Sequence, residues 1–134
     1  MLYIIYIHNL YDSANYVTTI DPRFYADKLK EHTQMLVYVP YFFTGGTMSK
    51  SHLFCPVYNY VDKIIVQSEK VIIKFTNPVI KRKLVPLGSP KADNMIWLEE
   101  QKPTLPEGWA EIIKNRKVVF YNTSISSLLM YGKK

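Results

Sequence analysis

The stretch that decides the fold is Lys63-Ile64-Ile65-Val66-Gln67-Ser68-Glu69. A short run of β-branched residues fills a strand on both faces, and it stops at a polar cluster whose Ser68 can cap a helix. The pattern recurs on either side. Leu2–Ile7 runs into His8-Asn9, residues 35–39 into Pro40-Tyr41, residues 83–87 into Gly88-Ser89-Pro90, and residues 118–121 into Asn122-Thr123-Ser124. Short apolar runs closed by turn residues read as buried parallel strands. Helical spacing between them completes an α/β pattern with right-handed crossovers. In open sheets of this kind ligands bind at the carboxyl edge. That edge is therefore where chemistry is expected.

Helices are placed by their caps. Asp21-Pro22 opens one whose face carries Phe24, Tyr25 and Leu29. Residues 52–61 read as a short helix with Pro56 near its start. Ser68 begins a helix that Val71, Ile72, Ile73 and Phe75 oppose, and Asn77-Pro78 interrupts it. Ser89-Pro90 caps a helix to about Gln101 with Met95, Ile96 and Leu98 on its apolar side. Pro103, Pro106 and Gly108 mark a linker, followed by a short helix over 109–115, a last strand over 118–121 and a terminal helix over 125–131.

Bulk properties narrow the class. The chain has 134 residues, enough for one modest core, with 48% hydrophobic and 14% aromatic residues. This composition opposes disorder. A net charge of +6 favours anionic partners. The single cysteine, Cys55, allows no internal disulfide and fits a reducing compartment; it reads as a packed residue or a nucleophile. No apolar run approaches the ~20 residues of a membrane span. Met1 opens directly onto an apolar run without a basic leader, so it reads as the start of a core strand and not as a signal peptide. His8, His32 and His52 are scattered, so no metal pattern arises. No aromatic and basic motif of an RNA-binding sheet is present, so nucleic acid is not an expected partner.

Candidate chemistry gathers at the expected carboxyl edge. His8 can accept a proton from a hydroxyl, or simply bond a neighbouring backbone group. Asn9, Tyr11 and Asp12 can bond a polyol, or make their own turn. Gly45-Gly46 allow either backbone amides around a phosphate or a plain turn. Ser89 and Ser124 begin helices, where either phosphate binding or ordinary capping applies. Asp93 reads as a surface carboxylate on the first helical turn or as one facing the cleft, and the basic clusters 81–83 and 114–117 read as solvated faces or as phosphate and lipid contacts.

Two segments carry a resemblance. Residues 61–69 look like a strand-to-helix junction of two-domain, GT-B-type glycosyltransferases. Leu87-Gly88-Ser89-Pro90-Lys91-Ala92-Asp93 is similar to the Gly-x-Pro-basic-x-Asp turn of the CDP-glycerol glycerophosphotransferases, and Val118-Val119-Phe120-Tyr121-Asn122-Thr123-Ser124 resembles the opening of their C-terminal domain. The resemblance implies a Rossmann-like parallel sheet: part of an N-terminal domain over 1–102, a linker and short helix over 103–117, and the first strand and helix of a second domain over 118–134. It implies transfer of glycerol phosphate, or a related group, from a nucleotide donor to a hydroxyl acceptor in cell-wall polymer synthesis. The alternatives are a nucleotide-sugar glycosyltransferase of the same fold and a non-catalytic binding module.

His8 is then the base. Asn9, Asp12, Tyr16, Gly45 and Gly46 face the acceptor, and Ser89 and Ser124 the donor phosphate. The teichoic-acid polymerases carry His-Gly after the strand matching 35–39, where this chain has Pro40-Tyr41; the base role moves to His8. The implied partners are CDP-glycerol or a nucleotide sugar, a polyol or sugar acceptor, and an inner membrane face touched from the cytoplasm. No cofactor is implied. Most of the donor domain has no counterpart here, so the isolated chain is expected to be inactive, and bare sheet edges favour self-association.

Overall fold

The computed structural model describes residues 2–14, 20–102 and 104–121. It divides into two compact units, residues 1–97 and 98–134. The first holds a four-stranded sheet of β1 (Leu2–Ile7), β2 (Thr33–Tyr38), β3 (Lys63–Val66) and β4 (Leu84–Pro86). All neighbours are parallel and their spatial order is their chain order. This is the Rossmann-like α/β class that the sequence predicts.

One-way order has a geometric consequence. Right-handed crossovers that always step in the same direction all pass over the same face of the sheet. The core agrees. Leu36, Tyr38, Ile64, Val66 and Leu84 pack against Ala26 of α1 (Ala26–Glu31), Val57 and Tyr58 of the 3-10 turn Pro56–Asn59, Val71 of α3 (Glu69–Ile72) and Ile80 of α4 (Pro78–Lys81). The alternate residues look the other way. Register sets Ile4 beside Met35, Tyr6 beside Val37, Val37 beside Lys63, and Ile65 beside Val85. On that side Tyr6 is 67% and Leu87 72% exposed.

The crossovers are shorter than the sequence predicts. Asp21 accepts from the Arg23 N–H, but Pro22–Phe24 is only a 3-10 turn, and α1 starts at Ala26 because Tyr25 is extended. Residues 52–61 are not one helix. α2 (Lys50–Leu53) ends before Pro56, which has no N–H to continue it, and a 3-10 turn follows. Ser49 caps α2 through its hydroxyl. Asn77 starts α4 by accepting from the Val79 and Ile80 N–H groups. Ser68 stands at the start of α3 without a side-chain cap bond.

After β4, Gly88 adopts φ +97, which favours glycine, and donates its N–H to the Val66 carbonyl at 3.2 Å. α5 (Pro90–Glu100) follows. Its expected apolar side is not packed: Met95, Ile96, Trp97 and Leu98 are consecutive, so they ring the helix, and no α5 residue is buried. In the second unit α6 (Trp109–Ile113) forms as expected, but residues 118–121 form no strand. Val119 is 88% exposed; an apolar run becomes a parallel strand only beside a ladder partner, and none is present among the described residues. The predicted terminal helix lies outside the described residues.

Candidate functional site at the carboxyl edge

His8 directly follows β1, and the strand carries it to the carboxyl edge. It lines two hollows there. In the smaller, about 180 Å³, it meets Asn9 and Asp12 above Phe24 and Leu29. In the larger, about 420 Å³, it meets Tyr41 after β2, and Lys91 and Asn94 from α5. The imidazole and the Tyr41 ring lie edge to face with centroids 6.0 Å apart. Two aromatic edges, an ammonium and an amide thus converge on one cleft from three separate chain segments.

Several candidates are already occupied by the fold. Asn9 Oδ1 accepts from the Tyr11 N–H at 2.9 Å, which is turn chemistry. Asp12 Oδ2 accepts from the Ala26 N–H at 3.0 Å and so ties the loop to the start of α1. Burial, helped by Asp27, pushes the Asp12 carboxyl up from its ordinary value against that hydrogen bond. Gly45 and Gly46 form no amide nest. Their carbonyls, not their N–H groups, are engaged, both accepting from Lys74 Nζ at 2.8 Å. This fixes a loop that Gln67 also holds by accepting from the Thr44 N–H.

Ser89 is buried, and its hydroxyl has no partner among the described residues; α5 begins through the Ser89 carbonyl, which accepts from the Ala92 and Asp93 N–H groups. The hydroxyl cap expected there is not made. Tyr16 and Ser124 lie outside the described residues.

Cys55 is a packed residue. Its Sγ donates to the Leu10 carbonyl at 2.9 Å, and burial raises the thiol above its usual value, which opposes a thiolate. Among the described residues no group of three His, Cys, Asp or Glu side chains gathers as a metal site. No described helix is long and apolar enough to cross a membrane.

Sequence reading missed Tyr41 and Asn94, and it took Lys91 only as part of a turn. The signal for Lys91 was its place one residue after Ser89-Pro90, at a helix start that β4 delivers to the same edge. Lys91 Nζ also stands 5.7 Å from the Phe43 ring centroid, so its charge is held near the cleft by a cation–π contact. Compared with protein-family models, curated proteins and solved structures, the chain has no match in any of the three.

Proposed function

We propose that the carboxyl-edge cleft binds a phosphorylated polyol or sugar, and that the chain serves as the acceptor-side part of a GT-B-type transferase similar to the CDP-glycerol glycerophosphotransferases. The observation that supports this is the convergence of His8, Tyr41, Lys91 and Asn94 on one cleft. Lys91 offers a phosphate its charge, Asn94 offers hydroxyls a donor and an acceptor, and His8 is the one side chain there suited to take a hydroxyl proton. Donor contacts, in this reading, come from sequence beyond this chain, and the work is done at the cytoplasmic membrane face.

A second reading is a binding module without catalysis. It is favoured by the internal bonds of Asn9, Asp12, Gly45 and Gly46, which leave His8 without an acceptor-side helper among them. Titration of the labelled chain with glycerol 3-phosphate, CDP-glycerol and a nucleotide sugar, followed by NMR, tests both. Glycerol 3-phosphate is expected to shift His8 and Lys91 resonances, and Lys91→Ala to abolish the shifts. The transferase reading further expects His8→Ala, in a chain carrying the donor half, to lose turnover while binding survives. Unmoved His8 and Lys91 resonances at millimolar ligand would sink the proposal.

A further inference from the structure

We infer that this chain forms a two-fold dimer in which α5 of each copy lies on the open sheet face of the other. Parallel sheets are almost always covered on both faces. Among the described residues every crossover lies on one side, and the opposite face is a largely apolar trough of about 510 Å³ whose floor includes Val37, Ile65 and Val85, with Lys63 at the amino end of β3 and Pro90 and Asp93 of the chain's own α5 at the carboxyl edge. A surface of this kind marks an interaction site.

The same chain carries the matching piece. The belt of Met95, Ile96, Trp97 and Leu98 rings α5, so any side of the helix laid on the trough presents part of it; all four are 42–58% exposed and none is buried by the described residues. Dimensions agree. A helix of 11 residues is ~16 Å long. The strands it would run along have 3–6 residues and are ~10–20 Å long.

Charge selects the direction and the occupant. Lys63 opens β3 on the trough side and is exposed, and Glu99-Glu100 close α5 just after the belt. None of the three is ion-paired among the described residues. A helix laid antiparallel to the strands, the direction of ordinary crossover helices, brings its carboxyl end to the amino end of β3. Glu99 and Glu100 then meet Lys63. Trough and belt belong to one chain, so a single two-fold operation makes both contacts at once and closes the assembly.

Sedimentation equilibrium of the full 134-residue chain tests this. A dimer is expected at micromolar concentration. Trp97→Asp, at a position 54% exposed and so safe for the fold, is expected to weaken it about a hundredfold or more with an unchanged circular dichroism spectrum. Lys63→Glu should weaken it about fivefold, and adding Glu99→Lys and Glu100→Lys should restore it. In a Trp109→Phe background, Trp97 emission should shift blue as the dimer forms. A monomer throughout the micromolar range, a dimer untouched by Trp97→Asp, failure of the charge swap to restore, or open-ended oligomers would each overturn the inference.

Discussion

Asp62 is the residue whose removal the structure prices most clearly. It precedes β3 by one position and serves both backbone groups of Leu36. Its N–H donates to the Leu36 carbonyl at 2.8 Å, and its Oδ2 accepts from the Leu36 N–H at 2.7 Å. Lys30 Nζ reaches the same oxygen at 2.6 Å. Leu36 is fully buried, so in Asp62→Ala its N–H loses its partner where water does not reach. That costs about 1–3 kcal/mol. The Lys30 pair, with both side chains about one-third exposed, adds only about 0–1 kcal/mol.

Asp62→Ala should therefore cost about 1–4 kcal/mol, and Asp62→Asn, which keeps an acceptor for Leu36 and loses only the ion pair, about 1 kcal/mol or less. Urea unfolding followed by circular dichroism reads both as midpoint shifts at constant slope. The pH dependence has a definite sign. Burial works to raise the Asp62 carboxyl, but the Lys30 ammonium and the Leu36 N–H outweigh it and hold the group below its ordinary value. The stability this gives is fully present above the unfolded value of about 3.9 and is lost as pH falls through the lower, folded value. Asp62→Asn should remove that acid-side slope. Equal stabilities of the Ala and Asn variants would refute the reasoning, because they would mean the Leu36 N–H finds water.

Two further outcomes follow from the packing. His52 is buried against Phe42 and Tyr58, and burial lowers its pKa. The folded state therefore resists a proton that the unfolded chain takes below about pH 6.5, so stability falls as pH drops from there toward the folded value, by at most about 1.4 kcal/mol per pH unit. His52→Phe should flatten the pH profile of thermal unfolding in that window, and an unchanged profile would count against the argument. Lys74→Ala should release the carbonyls of Gly45 and Gly46. Amide exchange of residues 43–47 should then quicken while global stability changes by less than about 0.5 kcal/mol; unaltered protection there would show that Gln67 holds the loop alone.

Residue pattern made the sheet legible because its strands are short apolar runs closed by turn residues, and all four begin within two residues of the expected start. Strand order was not legible. Ile65 and Val85 look like residues buried on both faces of a central strand, and nothing local tells that every crossover returns on one side. The run 118–121 shows the same limit from the other direction: its residues favour a strand, but a strand is a property of a pair. At the site, His8 could be placed from the end of β1. Asn9 and Asp12 have side chains that bond nearby backbone as readily as ligand, and here the backbone won. Tyr41 and Asn94 reach the cleft only through folding, from a loop after β2 and from α5, and sequence spacing does not bring them together.

The strand order also bears on how the sheet is made. Among the described residues no strand is inserted between two that come earlier in the chain. As the polypeptide leaves the ribosome, each new strand finds its neighbour already synthesised and no later strand is needed to finish its ladder on that side. Loop closure is met one crossover at a time, which keeps each step's entropy cost local. The unfinished object at every stage is a smaller sheet of the same kind, with its growing edge at the newest strand.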